Sequence, residues 1–182
     1  RIEEICKAKG YKVLVGKSAS RKGLYGGTPE EQAAEFQYMM TTAPCDAVLA
    51  LRGGYGTMRY LERLDYKAIR KYRKAFIGYS DCTALHMAIN RYSRLITYHG
   101  PMGVDFKAER KADIDALFNV LEGKLKVIEP LPEPPRGAIG TELGEGIFRG
   151  GNMTILSVLS GTPYFLEDES WEDTLLFIED VG

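Results

Sequence analysis

Metal-ligating and thiol side chains are sparse in this sequence, with two histidines and three cysteines among 182 residues. Cys6, Cys45 and Cys82 are odd in number and none lies in a CxxC pair. That usage suggests neither a disulfide framework nor a zinc site, and it fits a reducing, cytoplasmic compartment. No metal-ligand spacing occurs, and no cofactor is expected. An excess of either charge is lacking too. The 24 basic residues face 25 acidic ones, for a net charge of −1, which gives no case for nucleic acid or a membrane surface as a partner. No apolar run approaches the roughly 20 residues of a spanning helix. The phosphate-cradling patterns G-x-x-x-x-G-K-[ST] and G-x-G-x-x-G are absent. The chain opens on Arg1 rather than Met, which leaves room for a leader upstream.

What is present is ordinary in bulk. Apolar residues make up 45% and charged residues 27%, the balance of a soluble globular protein. The length suffices for one sizeable core, or for one domain plus part of another. Helical and strand patterns alternate through the first hundred residues. A helix over 1–9 closes at Gly10 and a strand comes next, over 11–16. Thr28-Pro29-Glu30-Glu31 starts a helix that runs to about Met40, with a capping threonine, proline at the first helical position and acids in the first turn. Strands are predicted over 46–51, 75–79 and 95–98, short helices over 57–64 and 66–71, and a helix over 82–92. Such repeats imply an α/β fold, a parallel sheet with helices on both faces. Ligands of such sheets bind beyond the carboxyl ends of the strands. The loop Arg52-Gly53-Gly54-Tyr55-Gly56 and Ser80 both fall there, so one crevice should hold both.

The pattern changes after His99-Gly100-Pro101. A helix is expected over 108–121, a linker around Pro130, Pro132, Pro134 and Pro135, and short strands over 136–148. A helix over 154–159 and a strand over 174–178, ending in Glu179-Asp180, complete the chain. Residues 1–129 are read as an N-terminal α/β domain. Residues 130–182 are read as a linker and the beginning of an incomplete, β-rich C-terminal domain.

The stretch Ala75-Phe76-Ile77-Gly78-Tyr79-Ser80-Asp81-Cys82-Thr83 carries the most chemistry. An apolar strand stops at a serine and a helix starts directly after it, the arrangement that exposes a nucleophile at a sharp turn. Gly78-x-Ser80-x-Cys82 approaches the G-x-S-x-G elbow, with cysteine in place of the second glycine. The competing reading makes Ser80 a helix N-cap, unless Asp81 takes that role and leaves Ser80 free. The glycine loop has three readings: a turn needing positive φ, a phosphate cradle, or a main-chain N–H donor for an oxyanion. His86, six residues beyond Ser80 on one helix, points away from it. His99 ends a strand near the crevice and is a candidate base. Glu179 and Asp180 close an apolar strand, where a carboxylate can orient a histidine or simply meet solvent. Cys82 is a rival nucleophile, but two residues into a helix it reads better as packing.

Taken together, Arg52-Gly53-Gly54-Tyr55-Gly56, Leu64-Asp65-Tyr66, Ile77-Gly78-Tyr79-Ser80-Asp81, His99-Gly100-Pro101-Met102, Gly150-Gly151-Asn152, Gly161-Thr162-Pro163-Tyr164 and Phe177-Ile178-Glu179-Asp180-Val181 resemble the LD-carboxypeptidase family. That family includes murein tetrapeptide carboxypeptidases and microcin C self-immunity peptidases. The resemblance covers nearly the whole chain and implies a serine peptidase with a Ser-Glu-His triad. Ser80 matches the nucleophile and Glu179 the triad glutamate, while the amides of Asp81 and Gly54 match the oxyanion donors. Arg52, Gly53, Tyr79 and His99 are the substrate-binding candidates. Arg52 has two readings, a partner for a substrate carboxylate or a structural residue of the loop, and His99 belongs to the His99-Gly100-Pro101 motif that shapes the crevice. The implied substrate is a small peptide, a murein tetrapeptide losing its terminal D-alanine. The alternatives are a peptidyl-nucleotide amide cleaved by an immunity-type enzyme, and a non-catalytic module holding an anionic ligand. Family members tend to be homodimers and need no metal. Two departures accompany the match. The family histidine lies several dozen residues beyond its glutamate, whereas the chain ends at Gly182, and the family's first strand and serine-containing loop are missing, so the resemblance implies that the domain over 1–129 is truncated at its start. Neither His86 nor His99 matches the triad histidine, so these 182 residues alone are expected to be inactive or nearly so.

Overall fold

The computed structural model describes residues 1–21, 23, 25–125, 144–165 and 171–180. Three parallel strands, β1 (Ala47–Leu49), β2 (Ala75–Gly78) and β3 (Tyr98–His99), lie side by side in the order β1-β2-β3. The register pairs Val48 with Phe76 and Gly78 with His99, so all three carboxyl ends open on one edge. Successive strand side chains point to opposite faces, and β2 shows what that does. Phe76, 2% exposed, enters a core with Met40, Leu61, Ile69 and Ile89. Ile77, 1% exposed, enters a second core with Cys6, Phe106, Ile114 and Phe118. The sheet is therefore covered on both faces, as expected.

The helices explain themselves locally. α1 (Ile2–Ala8) ends before Gly10, whose φ is 87°. α2 (Pro29–Met40) carries a complete capping box: Thr28 Oγ1 accepts from Glu31 N at 3.2 Å, and Glu31 Oε2 accepts from Thr28 N at 2.9 Å, leaving two fewer orphan donors. α3 (Tyr66–Tyr72) is capped by Asp65, which accepts from Ala68 N. α4 (Thr83–Ala88) is preceded by a 3₁₀ turn at Ser80–Cys82 and ends in a π-helical turn at Ile89–Ser93. α5 (Lys111–Leu121) covers the second core with Ile114, Leu117 and Phe118.

Several expectations need correction. The strand over 11–16 does not form. Its residues join no ladder among the described residues, and Leu14 and Val15 stay 46% and 57% exposed. β-Propensity measures fit to a half-buried pleated surface, and no neighbouring described strand provides that surface. The helix over 57–64 is a 3₁₀ helix, Thr57–Arg63. The strand over 95–98 shrinks to Tyr98–His99, and the helix over 82–92 starts one residue later and divides between α and π geometry.

The expected proline-rich linker and most of the expected strands over 136–148 lie outside the described residues. The C-terminal part of the chain forms a β-α-β unit: β4 (Ile147–Asn152), α6 (Met153–Leu159) and β5 (Thr174–Glu179), with β4 and β5 parallel and Asn152 in register with Glu179. Leu156 and Leu159 of α6 share the core containing Phe76. The end of β4 meets α4 closely. Asn152 N donates to Thr83 Oγ1 at 3.0 Å, and a Cβ on Gly151 would lie 2.5 Å from that same oxygen.

Candidate active site

Ser80 stands at the turn between β2 and the helical segment that leads into α4. Its φ is 61°, in the left-handed region that costs a non-glycine residue about 1–3 kcal/mol. Strain of this kind persists only where the surroundings over-determine it, and the surroundings of Ser80 are tight. A Cβ on Gly78 would sit 2.9 Å from Cys82 Sγ, so the first position of the G-x-S-x-C pattern must be glycine while the last can be cysteine. Cys82 fills that corner as a buried thiol, its pKa pushed up to about 12 by burial and then by the neighbouring Asp81 charge. A thiol so far from ionisation is a packing residue.

The cap reading of Ser80 fails on geometry. Neither the 3₁₀ turn nor α4 has a side-chain cap, and Ser80 Oγ has no hydrogen-bond partner among the described residues. Asp81 caps neither of them. Its buried carboxylate instead accepts from Thr57 N at 3.1 Å and Thr57 Oγ1 at 2.7 Å, capping the 3₁₀ helix that begins after the glycine loop. Burial pushes the Asp81 pKa up, and the two Thr57 bonds oppose the rise.

The glycine loop and Ser80 do share one edge, as the strand ends require. An added Cβ on Gly53 would lie 3.0 Å from Ser80 Cβ and 3.1 Å from Ser80 Oγ, with Met102 Cε at 3.5 Å. Main chain thus passes directly against the serine. Gly54 adopts a φ of 141° with open space where its side chain would be. Arg52 is exposed, and its Nε donates to Gly53 O at 3.3 Å. The Tyr79 hydroxyl donates to Asp105 Oδ1 at 3.5 Å, and Asp105 Oδ2 accepts from Met102 N at 2.9 Å. Burial first, then the Asp105 charge, raises the Tyr79 pKa.

The two histidines have different partners. His86 Nε2 meets Gly78 O at 2.9 Å, in the chain turn that presents Ser80. Because that carbonyl can only accept, Nε2 carries the proton, and Nδ1 is buried with no partner among the described residues. Burial lowers the His86 pKa to about 4. His99, beside Gly78 on β3, packs edge-on against Phe177 at 4.7 Å between ring centroids. Its Nε2 lies 3.7 Å from Glu179 Oε1, and burial lowers its pKa. Among the described residues no hydrogen bond joins either histidine to Ser80. The two acids ending β5 divide their work. Glu179 turns toward His99, while Asp180 Oδ2 accepts from Thr154 Oγ1 at 2.8 Å at the start of α6.

A cleft of about 540 Å³ opens between α4, β3, α5 and β4. Its lining includes His99, Arg110 and Phe177 but neither Ser80 nor Gly54. Among the described residues no cluster of three or more His, Cys, Asp or Glu side chains could hold a metal, and no helix is long and apolar enough to cross a membrane. Sequence reasoning missed Thr57 and Asp105. Thr57 comes directly after the last loop glycine, but its partner lies 24 residues away and leaves no local pattern.

Residues 1–100 match the LD-carboxypeptidase N-terminal domain. The probable murein peptide carboxypeptidase of Bacillus subtilis is 36% identical over 180 residues, covering 94% of this chain and 54% of its own. The microcin C7 self-immunity protein MccF of Escherichia coli is 27% identical over 97% of this chain and 59% of its own. A structure of MccF in complex with glutamyl sulfamoyl guanosine superposes with a TM-score of 0.83 at 25% identity, over 98% of this chain and 61% of that one. The muramoyltetrapeptide carboxypeptidase of Oxalobacter formigenes gives 0.76 at 27% identity, over 99% and 60%. The chain spans about half the length of the curated relatives it matches.

Proposed function

Because the chain belongs to the LD-carboxypeptidase family, we propose that it carries the nucleophile half of a serine peptidase acting on a small peptide amide. One observation carries this reading: Ser80 is held at a φ of 61° with its hydroxyl unengaged among the described residues and glycine main chain against it. In the proposed reaction Ser80 Oγ attacks the scissile carbonyl carbon as a base takes its proton. The C–N bond then breaks, the amine leaves with a proton, and water releases the acyl group from Ser80. The amides of Gly54 and Asp81 receive the developing oxyanion, each worth about 3 kcal/mol in the transition state. Gly53 leaves room for the substrate to approach, and Arg52 pairs with a substrate carboxylate.

Glu179 orients the base, which is a histidine in the family resemblance. His86 is a poor candidate, since its protonated nitrogen is committed to Gly78 O. His99 already has Glu179 beside it but no bond to Ser80 among the described residues, and we assign it, with Tyr79, to shaping the crevice. The base is therefore proposed to come from outside these 182 residues, so that the stretch alone is inactive. We propose a boundary at 129/130 in the chain, with α6 beyond it packing Leu156 and Leu159 into the core of the first domain. The three free cysteines support a cytoplasmic setting, and family likeness supports a homodimer, which sedimentation would test.

The substrate we favour is a murein tetrapeptide losing its terminal D-alanine, since identity is higher to the Bacillus subtilis protein. The second reading, a peptidyl-nucleotide amide, is favoured by the closer superposition on MccF. Treating the full-length protein with a fluorophosphonate tests the chemistry. Labelling at Ser80, lost in Ser80→Ala together with tetrapeptide turnover, is expected. A Ser80→Ala variant that still turns over refutes Ser80 as the nucleophile, whereas an unlabelled wild type, with ligand binding intact in Ser80→Ala, favours a non-catalytic anion-binding module.

A further inference from the structure

The side chain of Asp81 has a task separate from that of its amide. Only 6% exposed, its carboxylate takes both the main-chain N–H and the hydroxyl of Thr57 on a single oxygen. Thr57 opens the 3₁₀ helix Thr57–Arg63, whose Gly56 N-cap brings no side-chain bond of its own. The first N–H groups of a helix need outside partners, and Asp81 is that partner across 24 residues. The glycine loop is consequently tethered twice. It leaves β1 at one end, and at the other it is fastened to the residue directly after Ser80.

We propose that the Thr57–Asp81 pair is a positioning device that sets the distance between the Gly53–Gly54 main chain and Ser80 Oγ. The inference rests on Ser80 as nucleophile and adds two side chains that touch neither substrate nor reacting atoms. Its physical basis is the narrow fit: an atom added at Gly53 would already lie 3.0 Å from Ser80, so a small drift of the loop moves one oxyanion donor relative to the nucleophile. Displacements near 1 Å can cost on the order of a hundredfold in rate.

The test uses full-length protein, with fluorophosphonate labelling and tetrapeptide kinetics side by side. Thr57→Val removes the hydroxyl and keeps the volume, and Thr57→Ser restores the hydroxyl. Expected are labelling and kcat lower by about tenfold or more in Thr57→Val with KM little changed, recovery in Thr57→Ser, and a loss at least as large in Asp81→Leu, which removes the acceptor of both Thr57 bonds. A helix cap without a positioning role would lower melting temperature and leave kcat of the folded protein alone. If Thr57→Val labels at the wild-type rate, or Thr57→Ser falls as far as Thr57→Val, the inference is overturned. Should Thr57→Val not fold, Asp81→Leu, which removes the acceptor oxygen and keeps the main-chain amide, overturns it equally if it labels at the wild-type rate. An unlabelled wild type overturns the nucleophile reading and this inference together. A labelled wild type with an unaffected Thr57→Val overturns this one alone.

Discussion

Placing a methyl group at Gly53 should separate catalysis from stability more cleanly than any other single change. The Cβ of Gly53→Ala would stand 3.0 Å from Ser80 Cβ and 3.1 Å from Ser80 Oγ. Carbon atoms rest at about 3.5–4.0 Å, so the loop and the serine must part by a few tenths of an ångström. Rotating the Ser80 side chain does not relieve the Cβ contact, and the residues flanking the turn are held by long-range bonds, Asp81 to Thr57 and Gly78 O to His86 Nε2 and Gly100 N. Overpacking of this kind costs about 1–3 kcal/mol of stability, while a shift of a few tenths of an ångström at a reacting centre costs up to about tenfold in rate, since 1 Å costs on the order of a hundredfold. The expected result is a folded protein whose fluorophosphonate labelling rate falls by that factor. Gly100→Ala serves as the control, because its methyl would meet Leu117 Cδ1 at 3.7 Å, an ordinary contact, and should label normally. Wild-type labelling in Gly53→Ala, with the melting temperature unchanged, would show that the glycine loop does not hold Ser80.

Burial and bonding give three further expected outcomes. Phe76→Ala should lose about 3–5 kcal/mol in urea denaturation, since the ring is 2% exposed and packs edge-on against Phe36. Thr83→Val should cost about 1–3 kcal/mol in the same assay by leaving Asn152 N without its acceptor. His86 makes stability depend on pH. Its folded pKa of about 4 lies below the ordinary histidine value of 6.5, so its contribution is complete above pH 6.5 and is lost as the pH falls through about 4. The loss amounts to about 3 kcal/mol. Melting curves across that window should flatten in His86→Gln, and a parallel decline in both proteins would contradict the assignment.

Where the chain announced its structure, the signal was local or periodic. The capping box at Thr28 and Glu31 fixes the start of α2 because both of its bonds lie within one turn. The Ala75-Phe76-Ile77 run gives β2 because both faces of a covered parallel strand are apolar. The segment over 11–16 reads just as apolar, yet it joins no ladder among the described residues, because strand formation needs a partner that a one-dimensional pattern does not contain. The same limit applies within the site. Ser80 is legible as the residue between a strand and a helix. That Asp81 caps a helix 24 residues earlier, and that Asp180 turns to α6 while Glu179 turns to His99, depends on contacts between distant segments.

Those long-range bonds explain how a strained serine stays where it is. A left-handed φ at a non-glycine residue is about 1–3 kcal/mol uphill, comparable to one good hydrogen bond to a charged group, so a free turn would relax. In this chain the residue after Ser80 is bonded to Thr57 and the third residue after it is bonded to Asn152 of β4. The second residue before it gives its carbonyl to both His86 and Gly100 N. Each tether comes from a different element, and the tethered atoms span only Gly78 to Thr83. Relaxing Ser80 would break at least one of them. The strain is thus distributed over bonds that the sheet, α4 and β4 already make, and the hydroxyl at its centre is left without a partner among the described residues.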